Sequence, residues 1–193
     1  MILWESNDCY CSPPLFFIME LKLISSIPPS VNHYLGRSTG KTFKTQEARE
    51  YQKLFEEYVR SEVRNQKWIT SLDKYQHYYV DMIFYFDRID KDPSNYTKCM
   101  FDAITNTGLV WVDDNVACER INRIFYDKEN PRIELTISPV KYIGIFDNSN
   151  SMGNFTENFC ANCKRKNCKY FKSAKEGRIQ SGVTQFNCDY IKN

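Results

Sequence analysis

Acidic side chains crowd one short stretch of this 193-residue chain. Asp90, Asp92 and Asp102 lie close together with Lys98 among them, and Asp113-Asp114 follow a helix length later. Asp90 and Asp92 are two apart, so an extended backbone points both carboxylates to one face. Lys98 and Asp102 are four apart, which on a helix places them on one face together with Ser94. Like charges held this close repel. A hard divalent cation such as Mg²⁺ is the usual reason for tolerating that, because it takes carboxylate oxygens and leaves positions for water and phosphate. The same residues also fit a solvated acidic loop with an ordinary Lys98/Asp102 helix pair, and spacing alone does not separate the two.

A second constellation closes the chain: Cys160-x2-Cys163-x4-Cys168-x19-Cys188. Four thiolates suit the tetrahedral preference of Zn²⁺, and interleaved Lys164, Arg165, Lys166, Lys169 and Lys172 would surround such a site with positive charge suited to phosphate. Iron–sulfur ligation and unliganded thiols are the alternatives. Cys9, Cys11, Cys99 and Cys118 are read as unpaired, Cys99 and Cys118 as small core residues. The first 18 residues make a poor secretory signal, with Glu5 and Asp8 where basic residues belong and an apolar stretch of only Leu15 to Ile18. The expectation is a cytoplasmic protein with reduced thiols, residues 1–18 being a leader without structure or a non-native one, so that Met19 competes with Met1 as the true start.

The elements that must position these groups follow from periodicity. Residues 20–27 alternate and stop at Pro28-Pro29, a first strand. Residues 30–45 are polar, glycine-bearing and basic through Arg37, Lys41 and Lys44, a loop suited to phosphate contacts, with His33 and Tyr34 at its root. From Gln46 to Asn65 the apolar positions Ala48, Tyr51, Leu54, Phe55, Tyr58, Val59 and Val63 recur at three and four, an amphipathic helix. His77 to Phe86 reads as a central strand whose aromatics belong to the core, with His77 at its edge and without catalytic duty. Pro93 favours a helix start with Ser94 or Asn95 as cap, running to about Asn106 and stopped by Gly108. Residues 110–112 read as a short strand, and 119–126 with 132–138 as a hairpin across 127–131. The order is strand, helix, strand, helix, then strands over 19–146, followed by a short basic cysteine-rich segment over 147–193.

Composition sharpens that division. The chain carries 26 Lys+Arg against 24 Asp+Glu, 42% hydrophobic residues, and only 7 Gly and 7 Pro, which argues against collagen-like or wholly disordered chains. No apolar run approaches the roughly 18 residues of a spanning helix, so no membrane partner is expected. Residues 1–140 carry 17 basic and 20 acidic side chains, whereas 141–193 carry 9 and 4, so the near-neutral total hides an acidic body and a basic tail. Such a tail suits a polyanionic partner.

Several strings, taken in order, resemble the RusA family of Holliday junction resolvases. They are Pro28-Pro29-Ser30-Val31-Asn32-His33-Tyr34, Asp92-Pro93-Ser94-Asn95-Tyr96-Thr97-Lys98, Phe101-Asp102-Ala103-Ile104-Thr105, Gly108, Asp113-Asp114-Asn115, and Arg132-Ile133-Glu134-Leu135-Thr136-Ile137. The resemblance runs from about Met19 to Ser138, and its most specific part is the Asp-x-Asp-Asn-x-x-Lys box. It implies a small α+β fold, a mixed sheet with two main helices, in a homodimer, phage- or prophage-associated, that binds four-way DNA junctions in recombination and repair and cuts them with Mg²⁺. Carried over by position, Asp92, Lys98 and Asp114 are the catalytic residues, and Asp90, Asp92, Asp113 and Asp114 are the acids available to Mg²⁺. Ser94, Asn95 and Asp102 support them. Where the family box has its second aspartate this chain has Ser94, and Asp90 restores the two-residue spacing only if 93–94 bulges out. An active nuclease and a catalytically weak junction-binding protein are the two outcomes of that departure.

Overall fold

Leu21 and Leu23 alternate with Lys22 and Ile24 along β1 (Leu21–Ser26), and the strand buries the first pair while leaving the second exposed. The computed structural model describes residues 20–178 apart from 39, 72, 74, 162 and 164–166. The leader read over 1–18, together with Cys9, Cys11, Cys188 and Lys164 to Lys166, therefore lies outside the described residues.

Residues 30–45 are more ordered than their composition predicts. A single helical turn, α1 (Val31–Tyr34), leads into an antiparallel hairpin of β2 (Leu35–Ser38) and β3 (Lys41–Lys44). The absent side chain of Gly36 makes room for the ring of Phe43 opposite, since a Cβ there would stand 2.7 Å from it. Thr45 then closes the segment, donating from Oγ1 to the His33 carbonyl at 2.8 Å and accepting from the Ala48 amide at 3.2 Å as the N-cap of α2 (Gln46–Asn65). α2 buries Ala48, Gln52, Phe55, Val59 and Val63. Leu54, expected on that face, is 67% exposed.

β4 (Tyr78–Phe86) buries Tyr78, Val80, Met82, Phe84 and Phe86, the alternation that its sequence predicts. A 3₁₀ turn over Pro93–Asn95, with Asp92 as its cap, leads into α3 (Thr97–Thr107), which ends at Gly108 with φ +63°. A left-handed residue at this stop is where glycine costs least. The strand expected over 110–112 does not form. Val110 and Trp111 are both buried, whereas a strand would send neighbours to opposite faces, and Trp111 donates from Nε1 to Thr105 Oγ1 at 2.8 Å.

β5 (Ala117–Tyr126) and β6 (Arg132–Pro139) do not form the expected hairpin. The sheet order is β1-β6-β4-β5, with β4 between them, β5 parallel to β4, and β6 antiparallel to both β4 and β1. Alternation marks a strand but not its neighbour. Here residues 127–131 carry the chain across the end of β4, where the Asp127 amide donates to the Phe86 carbonyl at 2.8 Å. α3 supplies the long connection that the parallel pair β4–β5 requires. Opposite Met82/Ile83 the register shifts, so that Asn122 is the extra residue of a bulge in β5. α2 and α3 cover one face of the sheet, and Leu21, Leu23, Val80, Met82, Phe84, Ile133, Leu135 and Ile137 meet Phe55, Val59, Met100 and Ile104 in one core. This is the α+β fold with a mixed sheet and two main helices that the resemblance implies. Among the described residues, no helix is long and apolar enough to cross a membrane.

Beyond β6 the chain builds a second, smaller apolar cluster. α4 (Ser149–Phe155) is closed by a capping box between Asn148 and Ser151, continues into a wider helical turn over Thr156–Cys160, and is followed by α5 (Lys169–Lys175). Phe146, Phe155 and Ala174 are buried together, with Ile145, Met152, Phe159, Cys160 and Phe171 packed on them. Gly144 brings α5 against the body: its φ is +57°, and a Cβ would stand 1.9 Å from the Ala174 carbonyl oxygen. The neighbouring Ile145 amide donates to that carbonyl at 3.0 Å. Gly144→Ala is therefore expected to unseat α5 while leaving the sheet intact. Limited proteolysis should cut the variant within residues 147–178 and spare 20–139, and cleavage indistinguishable from wild type would count against this seat.

Candidate active site

Two turns of backbone deliver the acids. Asp92 accepts the Ser94 amide at 3.0 Å and the Ser94 hydroxyl at 2.9 Å on Oδ1, which fixes the turn that opens α3. Asp113 caps a second 3₁₀ turn, Asp114–Val116, by accepting the Asn115 amide at 2.9 Å. Asp92 caps the 3₁₀ turn, in which Asn95 is half-buried, and the N-cap of α3 is Tyr96, one residue past the Ser94 or Asn95 expected from propensity.

Lys98, on the first turn of α3, reaches the second of these turns. Its ammonium donates to Asp102 Oδ1 at 2.5 Å, one helical turn on, and to Asp114 Oδ2 at 3.2 Å, from the far side of the loop that follows α3. The hydrogen bond to Asp102, with that to Asp114 in support and burial opposing, raises the Lys98 pKa, so the side chain stays cationic at neutral pH. An ammonium has three donors. Two are spent on carboxylates, and among the described residues the third has no partner.

Behind Asp102 stands a buried polar chain that sequence reasoning missed. Tyr34 donates its hydroxyl to Asp102 Oδ2. Gln52 Nε2 donates to the Tyr34 oxygen at 3.3 Å and to the Cys99 carbonyl at 3.2 Å, and Lys44 Nζ donates to Gln52 Oε1 at 2.8 Å. Tyr34 and Gln52 are 4% and 5% exposed. Burial, and next the Asp102 carboxylate, raise the Tyr34 phenol well above its ordinary value, so it serves as a neutral donor. The available signal was Gln52, a polar residue standing at an apolar position of the α2 stripe.

The remaining predicted residues divide. Asp90 pairs with Arg88 at 3.2 Å, both side chains 65% exposed. Arg37 and Lys41 are exposed on the β2–β3 hairpin, whereas Lys44 turns inward to Gln52 and lies over the Tyr34 ring at 5.6 Å. His77 rests against Tyr142 beside β4. Cys99 is buried and its thiol is pushed up to about 12 by that burial, which makes it an inert core residue; half-buried Cys118 contacts the Tyr142 hydroxyl at 3.0 Å. In the tail, Cys160 packs into the aromatic cluster, the Cys163 amide donates to the Cys160 carbonyl at 2.9 Å, and Cys168 caps α5. Among the described residues no three Cys, His, Asp or Glu side chains are gathered closely enough to hold a metal by themselves. Among the described residues Cys160, Cys163 and Cys168 form no such group, the fourth expected ligand, Cys188, lies outside them, and apolar packing joins the helices of the described segment.

The same fact bears on the acids. Mg²⁺ is commonly held by one or two carboxylates, completed by waters and substrate phosphate, and does not need an all-protein cage. Asp114, beside Lys98, has Oδ1 outside the hydrogen bonds described, and Asp92 has Oδ2 outside its contacts with Ser94. Each offers a hard oxygen of the type the cation takes, and of the two only Asp114 stands against Lys98.

A mixed α+β sheet whose loops bring carboxylates around one cationic lysine describes a protein built for phosphate chemistry. Residues 26–138 match the sequence model of the endodeoxyribonuclease RusA family, and the chain belongs to that family. Its members are DNA endonucleases that generally depend on a divalent metal. None of the curated proteins matches the chain closely enough to count as a relative.

Tyr34→Phe removes one hydroxyl and keeps the ring. The expected cost is about 1 kcal/mol in stability, together with a roughly tenfold slower turnover, equivalent to about 1.4 kcal/mol. DNA affinity should stay unchanged. Single-turnover cleavage beside urea unfolding separates the two effects, and wild-type turnover would remove Tyr34 from the site.

Proposed function

We propose that this protein is a Mg²⁺-dependent, structure-selective endonuclease that resolves four-way DNA junctions in recombination and repair, acting as a homodimer so that two sites cut two strands. The observation that carries the reading is the shared ammonium of Lys98. A structural ion pair needs one carboxylate, whereas this lysine holds two from different elements and keeps a donor in reserve.

Asp92 and Asp114 are the residues that would hold Mg²⁺, with Asp113 beside them. Bound there, the cation supplies positive charge against the non-bridging oxygens of the scissile phosphate and acidifies a water for attack. Lys98, oriented by Asp102 and through it by Tyr34, offers its remaining N–H to the phosphate or the leaving oxygen as negative charge grows. Its preset position spares the reaction the cost of ordering a flexible side chain. Arg37 and Lys41, on the exposed hairpin, are placed to contact backbone phosphates, which fixes register without reading sequence.

One observation favours a second reading, a junction-binding protein that cuts weakly. At the position of the family's second acid stands Ser94, whose hydroxyl donates to Asp92 and so competes for a carboxylate needed elsewhere.

Asp114→Asn should slow cutting of a synthetic four-way junction in Mg²⁺ by roughly 10³-fold, on the scale of losing a charge-stabilising group, while junction binding persists. Undiminished cutting by that variant, or equal cutting of junction and linear duplex by the wild type, would overturn the proposal. Chelation by EDTA should stop cleavage without releasing DNA. Ser94→Asp restores a carboxylate and removes the competing hydroxyl, so the Mg²⁺ concentration for half-maximal cutting should fall about tenfold, the order seen when groups around a metal are changed. An unaltered Mg²⁺ requirement would argue that Ser94 does not limit the site.

A further inference from the structure

Between α5 and the segment leading into β4 lies a cleft of about 630 Å³ that the family site does not use, lined by Tyr75, Asn167, Cys168, Lys169, Phe171, Lys172 and Lys175. Its three lysines recur every third residue along α5, so they form one stripe on the helix. Among the described residues their charge is largely uncompensated. Lys172 approaches Glu176 only at 3.9 Å, and no ion pair involves Lys169 or Lys175 among the described residues.

The cleft is held in place from both sides. Glu176, whose side chain is 7% exposed, accepts from the Tyr75 hydroxyl at 2.7 Å and pairs with Arg178 at 3.2 Å, which ties the end of α5 to the loop before β4. On the other flank, Gly144 lets the Ala174 backbone approach, and Phe171 packs into the tail cluster. The stripe is therefore presented in a fixed orientation by packed structure. Its place in the fold also matters. Tyr75 lies three residues before β4, whose first residue, Tyr78, pairs with Ala117 of β5, and Asp114 lies three residues before Ala117. The lysine cleft and the turn that carries Asp113 and Asp114 thus belong to the end of the sheet where β4 and β5 begin.

We infer that this cleft is a second DNA-binding site, which takes the phosphodiester backbone of a junction arm through Lys169, Lys172 and Lys175. The inference rests on the nuclease reading, which supplies the polyanion. The chemistry is that of phosphate recognition by ammonium groups, a sequence-independent interaction whose strength falls with salt as counterions are released. It gives the basic tail a function that requires neither zinc nor thiolate ligation.

The test uses the full chain with all three lysines changed to alanine, and a companion with all three changed to arginine. Junction affinity is measured from low to moderate salt, beside single-turnover cleavage at saturating enzyme and thermal unfolding. The alanine variant should bind about tenfold or more weakly, and the slope of log affinity against log salt should become shallower by about two to three, one unit for each ammonium–phosphate pairing removed. Its cleavage rate once saturated should equal that of wild type. The arginine variant should restore both affinity and slope. Wild-type affinity and slope in a folded alanine variant would overturn the cleft as a DNA site while leaving the nuclease reading standing. A wild-type protein that binds neither junction nor duplex would overturn both. If the alanine variant fails to fold, the arginine variant and a Lys169→Ala, Lys172→Ala double variant, both positions exposed, give the same readout, with a slope change of about one to two for the double variant.

Discussion

Lys98 binds one carboxylate four residues along its own helix and another sixteen residues on, and the organisation of the site follows from that double contact. The first partner costs the fold little, because helical geometry already places Asp102 beside it. The second requires the chain to leave α3 at Gly108, run back past the helix and turn over Asp114–Val116 before it enters β5. The buried side chain of Trp111, bonded to Thr105, anchors that return path. Core packing and charge placement are thus coupled, since the loop that carries Asp114 is held by the same aromatic residue that fills the space between α3 and β4.

Much of this was legible from local pattern. The spacing of apolar residues located α2 over 46–65, period-two alternation located β1 and β4, and an i,i+4 rule paired Lys98 with Asp102. What escaped was nonlocal. Nothing in the alternation of 119–126 and 132–138 says that β4 will lie between them, because a strand's neighbour is chosen by the whole sheet. Tyr34 looked like the root of a basic loop until the fold brought Asp102, 68 residues away, to its hydroxyl. Lys44 counted as a positive charge until Gln52 drew it inward. In each case the residue type was informative, and only the three-dimensional partner gave it a role.

The C-terminal segment has a source of cohesion that its cysteine spacing does not announce. Phe146, Phe155, Phe159 and Phe171 pack together, and Cys160 lies against them. The polar cost of seating the tail is met by a few hydrogen bonds: the capping box of α4, the Ala174 carbonyl accepting the Ile145 amide, and Glu176 accepting Tyr75. The basic character of the segment is thereby displayed on a rigid surface.

The bulge in β5 bears on how the molecule avoids its own kind. β5 is a ten-residue edge strand, exposed from Glu119 to Tyr126, with Ile121, Ile124 and Phe125 in solvent, a combination that invites edge-to-edge aggregation. The extra residue Asn122 interrupts the regular spacing of backbone groups along the open edge. It also sets Arg120 and Arg123 on the same side of the sheet, opposite Asp81 and Ile83, each stacked on an aromatic ring. An incoming strand would meet a broken hydrogen-bond ladder, the positive charge of Arg123, and an Arg120 already held by Asp81. The edge is thus guarded against promiscuous β-pairing by a single inserted residue.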